Sequence, residues 1–215
     1  MLAIYKKELR AYFTSVIGWM FLAFFLAFVG LYVFLYNFLK GEAFIGYALA
    51  QVSLIFALLV PMVTMRSMAE EKKQKTDQLL LTSPVSIWKI VMGKYFALVT
   101  LIGIAMLAVC VYPLIFAKYG VINFPMSYGA IFGFFLIGCA YFAIGLFISS
   151  ITDSQAFAAV MTFIVVLITT LIDGIASLIP TTAKAAWITY TVLWALIALW
   201  MWRIMKNGTV AFFVF

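Results

Sequence analysis

Long apolar runs separated by short polar stretches dominate this chain. The apolar runs cover residues 16–39, 44–65, 90–117, 126–151, 156–179 and 185–202. A helix needs about 20 apolar residues to cross the hydrocarbon of a bilayer, so each run is long enough to span a membrane. The runs are continuous rather than alternating, which excludes the pattern of membrane β-strands. The sequence therefore predicts an all-α integral membrane protein, with about six transmembrane helices in a single domain, 1–215.

Composition supports lipid as the solvent and gives little material for catalysis. Apolar residues make up 67% of the 215 positions, compared with about 45–50% in ordinary soluble domains. The chain has no histidine, which is the commonest general base and metal ligand. Cys110 and Cys139 both lie in apolar runs without CxxC spacing, and we interpret them as buried apolar residues. No catalytic residue, cofactor site or metal site is predicted.

The placement of basic residues predicts the orientation in the membrane. If the amino terminus is cytosolic, eleven of the fourteen basic residues lie on the inner side, and only Lys40, Lys118 and Lys184 lie outside. The eleven are Lys6, Lys7, Arg10, Arg66, Lys72, Lys73, Lys75, Lys89, Lys94, Arg203 and Lys206. The positive-inside rule then predicts that both termini are cytosolic. We attribute the net charge of +7 to this asymmetry and to the anionic inner leaflet. No basic patch is interleaved with aromatic residues, so no nucleic-acid partner is predicted.

Residues 1–15 have two faces at the spacing of a helix. Apolar and aromatic side chains share one face, and basic side chains occupy the other. The apolar face contains Leu2, Tyr5, Leu9, Tyr12 and Phe13, and the basic face contains Lys6, Lys7 and Arg10. This pattern predicts an interfacial helix on the inner leaflet. The alternative is a simple orientation signal without a further role.

One substantial polar segment, 66–94, lies between the second and third apolar runs. Ser83 and Pro84 predict the N-cap and first position of the helix that enters the third span. Before them, Leu79, Leu80 and Leu81 form an apolar group between charged flanks. Exposed apolar groups usually mark contacts, so these leucines are candidates for docking another protein. The alternative is that they lie in the membrane interface against the protein's own helices.

These residues resemble the ABC-2 type permease family, and most closely the branch that includes gliding-motility-type permeases. The resemblance is carried by Arg66-x-x-Ala69-Glu70-Glu71-Lys72-Lys73-Gln74-x-Thr76, by Leu79 to Val85, by Gly93-Lys94, and by residues 1–13 and 149–155. Many relatives have glycine immediately before the threonine that corresponds to Thr76, and an acidic residue two places after it. This chain has Lys75 and Gln78 there, with Asp77 between them.

The resemblance implies a permease that pairs with a second copy or a sister permease. It also implies separate cytosolic ABC ATPase subunits, which each permease engages through cytosolic coupling helices. We therefore call 66–94 the coupling segment and expect a second cytosolic loop at 152–155. The implied ATPase-coupling residues are Arg66, Glu70, Glu71, Thr76, Asp77, Leu79, Leu80, Leu81, Ser83, Pro84 and, in the second loop, Asp153.

ATP is expected to bind to the partner subunit and not to this chain. A phosphate-binding loop of the GxxxxGK[ST] type needs glycine five places before Gly93, where Trp88 stands, and Ser or Thr after Lys94, where Tyr95 stands. We therefore predict a transport subunit without its own nucleotide site. The resemblance further implies that it functions in export and lies in the bacterial cytoplasmic membrane.

Within the spans, glycines and prolines predict close packing and kinks. Gly129 and Gly133 form a GxxxG pair, and Gly138 and Gly145 lie on a nearly opposite face, so the fourth span is expected to pack on both sides. Pro61 and Pro113 should kink the second and third spans. After Lys206, the apolar residues from Val210 to Phe215 are too few to cross a bilayer. We expect at least one further span beyond them in the natural protein.

Asp173 is the one acidic residue within a predicted span. A charge at mid-bilayer costs about 2.5–3.5 kcal/mol on insertion scales, which makes Asp173 a candidate for the substrate path. Its depth near the outer end of the fifth span favours a helix end or re-entrant turn instead. Two other functions stay open: a proton-coupled secondary transporter that uses Asp173, and a membrane scaffold that does not transport. No residue selects a substrate.

Overall fold

The fold consists of helices throughout the described part of the chain. The computed structural model describes residues 2–42, 44–69, 86–118, 122–152, 154–177 and 191. Its helices are α1 (Leu2–Thr14), α2 (Val16–Val33, continued by a π-helical stretch, Phe34–Leu39), α3 (Gly46–Thr64), α4 (Ile87–Val109), α5 (Val111–Phe116), α6 (Phe124–Ile151) and α7 (Gln155–Ser177). The chain divides into two compact units, Met1–Thr170 and Leu171–Phe215. The packing described below is that of the first unit.

Five helical segments of the described chain are long and apolar enough to cross a membrane. They are Val16–Leu39, Gly46–Thr64, Trp88–Phe116, Phe124–Ile151 and Gln155–Ile172. These segments confirm the first five predicted spans to within a few residues at most ends, and they confirm the all-α integral membrane class. The sixth predicted span, 185–202, lies outside the described residues, as does the end of the chain. The single-domain organisation stays a prediction.

The third span differs from its predicted start and has its predicted break. Ser86 keeps an extended backbone (φ −64°, ψ 142°), and α4 begins at Ile87. The predicted start at Ser83 and Pro84 is therefore wrong by three residues, because a helix cannot continue through an extended residue. The helix is interrupted at Cys110 and resumes as α5, which contains Pro113. Proline has no N–H and clashes with the preceding turn, so the break agrees with the effect predicted for Pro113, whereas α3 continues through Pro61 without a break.

An aromatic cluster joins α2, α3 and α6. Phe56 of α3 is fully buried, and its ring centroid lies 5.7 Å from that of Phe25 on α2 and 5.3 Å from that of Phe134 on α6. Phe21 of α2 and Phe142 of α6 extend the cluster, with ring centroids 6.1 Å apart. These separations fall within the range in which aromatic pairs attract beyond their buried area. The cluster fixes α3 and α6, two of the helices that carry the candidate site, against α2.

Two of the four glycines noted on the fourth span permit close helix packing. A Cβ on Gly145 would lie 2.5 Å from the Thr64 hydroxyl of α3, and a Cβ on Gly138 would overlap the end of the Ile102 side chain of α4. A methyl group added to Gly129 or Gly133 would meet no atom of the described chain within 4 Å apart from the neighbouring backbone of its own helix. The prediction of close packing is thus confirmed on one side of α6, and the GxxxG side is uncovered within the described chain.

The two ends of the first unit carry different charge. Six of the eight described basic residues lie on α1 or at the end where α3 and α6 finish and α4 begins. The other two, Lys40 and Lys118, follow α2 and α5 at the opposite end, where the rings of Phe38 and Phe116 are 5.7 Å apart. This distribution agrees with the charge asymmetry that predicts a cytosolic amino terminus.

Cysteine labelling in intact cells tests the predicted orientation. Probes at Gly41 and Ala183 should react with a reagent that cannot cross the membrane, and probes at Gln74 and Asn207 should react only after permeabilisation. The native cysteines should be replaced first, because Cys110 and Cys139 are both partly exposed and not buried as predicted. Reaction of the Gln74 probe in intact cells would overturn the orientation.

Candidate functional site

Helix α1 lies along the first half of α4. The Tyr5 hydroxyl is 2.9 Å from the Thr100 hydroxyl, and the Glu8 carboxylate contacts Lys94. Lower numbers on α1 meet higher numbers on α4, so the two helices run antiparallel. The predicted basic face is confirmed, since Lys6, Lys7 and Arg10 are exposed. The apolar face is covered at Tyr12, which is buried, but not at Leu2, which is 73% exposed. The location of α1 on the inner leaflet stays a prediction.

Glu8 and Lys94 form a buried ion pair between α1 and α4. Lys94 Nζ lies 3.1 Å from Glu8 Oε1, and the side chains of Lys94 and Glu8 are 1% and 12% exposed. Lys94 occupies a buried stripe of α4, one turn after Ile90 and one turn before Leu98. Removal of two charges from water is unfavourable by several kcal/mol per ion, and such a pair persists only where geometry and further hydrogen bonds compensate. Lys94 makes one such further hydrogen bond, to the Ser67 carbonyl.

Lys94 also joins the two ends of the coupling segment. Its Nζ donates to the backbone carbonyl of Ser67 at 2.5 Å, so the last residue of the segment contacts the second. Ser67 is 4% exposed and lies in the turn after α3, where its N–H donates to the Thr64 carbonyl at 3.1 Å. The turn that follows α3 is therefore bonded to α4 at Lys94, seven residues after that helix begins at Ile87.

Ser149 attaches the same turn to α6. Its hydroxyl oxygen accepts hydrogen bonds from the backbone N–H groups of Met68 at 3.2 Å and Ala69 at 3.1 Å. The hydroxyl in turn donates to the Met65 carbonyl at 3.5 Å. Ser149 and Ala69 are both fully buried. One side chain thus satisfies two backbone donors that follow a helix end, where unpaired groups would otherwise be costly.

Together these contacts connect four helices at one end of the first unit. Glu8 is joined through Lys94 to the turn that follows α3, and Lys94 and Ser149 contact that turn directly, at 67–69. We call this set the junction. Ser149 lies two residues before the end of α6 at Ile151, and α7 begins at Gln155. The start of the coupling segment and the predicted second cytosolic loop therefore lie at the same end.

The structure reaches the predicted coupling residues only at the edge of the segment. Arg66 lies in the turn after α3 and is partly exposed. Asp173, the candidate for the substrate path, lies within α7 near its end. The other predicted site residues lie outside the described residues, so their coupling role stays a prediction: Glu70, Glu71, Thr76, Asp77, Leu79, Leu80, Leu81, Ser83, Pro84 and Asp153. In the described ranges, no three His, Cys, Asp or Glu side chains come together in a way that could hold a metal ion.

Sequence reasoning missed the role of Glu8, although its position carries a signal. Glu8 falls on the face of α1 that carries Tyr5 and Tyr12, where an acidic residue is out of place. Lys94 likewise falls on the apolar stripe of α4. Two opposite charges on apolar faces are each unfavourable unless they pair, since an isolated buried charge is very costly.

The fold and the junction define a multi-pass α-helical membrane protein with a polar network at one end of its helices. The family model described as "ABC-2 family transporter protein" matches residues 37–212. The chain therefore belongs to the ABC-2 family of transporter proteins and is a membrane transport subunit. No curated protein and no solved structure matches the chain.

Proposed function

We propose that this protein is the permease subunit of an ABC-2 exporter that separate cytosolic ATPase subunits drive. It works beside a second copy or a sister permease, in the bacterial cytoplasmic membrane, with both termini in the cytosol. Membership of the family supports transport and an ATPase partner. Export, the dimer and the branch of gliding-motility-type permeases rest on the resemblance of 66–94, 149–155 and 1–13.

The observation that supports this function most directly is the attachment of the coupling segment at both of its ends. A segment that transmits movement from an ATPase to membrane helices needs a rigid attachment, because a loose loop would absorb the movement. Here Ser67 and Lys94 are joined by a hydrogen bond, and Ser149 binds two further amides of the same turn. Movement of the segment is therefore passed to α3, α4 and α6 through directional bonds.

Purification of the tagged permease from mild detergent provides the first test. We expect a P-loop ATPase to co-purify, and its ATPase activity to change when the permease is removed. A proton-coupled transporter would instead work without any ATPase and would depend on Asp173 and on a proton gradient. A scaffold would bind the partner without nucleotide-dependent movement of its helices. Either result would contradict the proposed function.

Leu80→Asp is expected to weaken binding of the ATPase. Each large apolar side chain that is fully buried at a docking surface contributes about 1.5–3 kcal/mol. Aspartate at position 80 would place a charge in the apolar site that the ATPase is expected to provide for Leu80. Leu80→Met is the matched control, because it keeps an apolar side chain of similar volume. The measurement is the amount of ATPase retained per permease after purification. Equal retention by the two variants would show that Leu80 is not part of the docking surface.

Glu71→Ala is expected to leave assembly largely intact and to reduce transport per ATP hydrolysed. Charged groups at the rim of an interface affect orientation and association rate more than affinity. The measurements are partner retention, ATPase rate and transport in the reconstituted complex. Loss of the ATPase partner from this variant would instead place Glu71 at the centre of the interface.

A further inference from the structure

Burial of a charged pair at the junction calls for an explanation beyond stability. Only 10% of the residues of this chain are charged. Glu8 and Lys94 are nevertheless buried, with 9% and 1% of the whole residue exposed. Replacement of a buried ion pair by well-packed apolar residues is often neutral or stabilising. The best-attested benefit of such a pair is a fixed register between the elements that it joins. The benefit of this pair is therefore to be sought in the elements that it positions.

The pair positions the coupling segment relative to α1. Lys94 Nζ simultaneously contacts Glu8 on α1 and the Ser67 carbonyl at the start of the segment. One ammonium group thus bonds to two elements that are far apart in the sequence, from a helix long and apolar enough to cross the membrane. Apolar contacts between the same helices would permit sliding, because the hydrophobic effect is non-directional. Charge-assisted hydrogen bonds are directional and about twice as strong as neutral ones.

We propose that Glu8 and Lys94 are positioning residues that make α1 and α4 move with the coupling segment. This role rests on the proposed function, since it requires an ATPase that moves the segment. Ser149 provides the parallel connection to α6 through Met68 and Ala69. Helix α1 is then a moving part of the transport cycle and not only an orientation signal.

The double variant Glu8→Gln with Lys94→Met tests whether the ion pair transmits movement or only stabilises the fold. This variant removes both charges, so no unpaired charge is left buried, and it should fold and retain the ATPase. Spin labels at Glu42→Cys and Lys118→Cys, both exposed at the far end of the unit, report movement of the helices. The background lacks Cys110 and Cys139. Distances are measured in the complex without nucleotide and after trapping with ATP and vanadate.

In the wild type, we expect trapping to shift the distance between the labels. In the double variant, we expect the ratio of shifted to unshifted complexes to fall about fivefold or more, the lower limit of typical coupling effects. Lys6→Met, at an exposed lysine of α1 outside the coupling segment, should shift like the wild type. Tyr5→Phe is a second control, because it removes an α1–α4 hydrogen bond that does not touch the segment. A wild-type ratio in the double variant would overturn the positioning role.

Two further outcomes are distinguishable. If the wild-type complex contains no ATPase or shows no shift on trapping, the proposed function fails and the positioning role fails with it. If the double variant does not fold, the comparison of Ser149→Ala with Ser150→Ala decides. Ser149 bonds to the start of the segment, whereas Ser150 bonds to Phe147 within its own helix. A smaller shift in Ser149→Ala alone supports the junction as the transmitting element, and equal shifts overturn it.

Discussion

Lys94→Met is expected to lower the free energy of unfolding by about 3–5 kcal/mol, the usual effect of removing one partner of a buried ion pair. Methionine fits the space along α4 but cannot neutralise the Glu8 carboxylate, which belongs to a residue only 9% exposed. The Ser67 carbonyl also loses the donor that Lys94 supplies. The measurement is unfolding of the detergent-solubilised permease, followed by temperature or by SDS titration.

The comparison with two other variants identifies the origin of this loss. Lys89→Met removes the same charge five residues earlier on α4, at an exposed position, and surface substitutions usually change stability by less than about 0.5 kcal/mol. Addition of Glu8→Gln to Lys94→Met removes the second charge and should recover most of the lost stability, because the unpaired carboxylate is the main penalty. The structure buries the Glu8 carboxylate. If the single and double variants unfold with the same free energy, the unpaired carboxylate carries no penalty, and this burial is contradicted.

Sequence patterns predict the spans well because a membrane span is determined by length and hydropathy. The run 16–39 coincides with the structural span Val16–Leu39, although its last six residues are π-helical. The predicted start of the third span is less accurate. Ser83-Pro84 and Ser86 both suit a helix start, and the choice depends on the neighbouring structure, which a local pattern does not contain. An interruption lies near Pro113, as its missing N–H suggests, but α3 continues through Pro61, so the residue type alone does not decide where a helix breaks.

The junction cannot be predicted in the same way, because it depends on contacts between residues that are distant in the chain. Glu8 and Lys94 are 86 positions apart, and Ser149 is 80 positions from Ala69. The positive-inside rule counts Lys94 only as one positive charge on the inner side of the membrane, and it does not count Glu8 at all. The position of each charge on its helix face is more informative. Glu8 lies one turn from Tyr12 on α1, and Lys94 lies one turn from Leu98 on α4.

Gly145→Ala is expected to destabilise the protein by about 1–3 kcal/mol relative to Gly133→Ala, as overpacking of a well-packed contact does. A Cβ at Gly145 would lie 2.5–2.7 Å from three atoms of Thr64. Thr64 is fully buried, and its hydroxyl donates to the Val60 carbonyl at 3.0 Å. The Thr64 Cβ is one of these atoms, at 2.7 Å, and no change of rotamer can move it, so α3 and α6 themselves must separate.

Gly133 is the matched control on the same helix, because its added methyl would meet no atom of the described chain within 4 Å apart from the neighbouring backbone of α6 itself. Alanine favours a helix over glycine by about 1 kcal/mol, so Gly133→Ala should be neutral or stabilising. Gly138→Ala should lie between the two, since the overlapping atom is the flexible end of Ile102. The measurement is the free energy of unfolding of the three variants in one detergent. Equal values for Gly145→Ala and Gly133→Ala would contradict the close approach of α3 to α6.

The same substitution should also affect the junction. Gly145 and Ser149 are four residues apart and share one face of α6, so separation of α3 from α6 at Gly145 moves the Ser149 hydroxyl away from the amides of Met68 and Ala69. Gly145→Ala is therefore expected to reduce the shift between labels at positions 42 and 118 on ATP–vanadate trapping, even in molecules that remain folded. Gly133→Ala should leave that shift unchanged. A destabilised Gly145→Ala variant with the full wild-type shift would show that Thr64 and Gly145 support the fold without transmitting movement to α6.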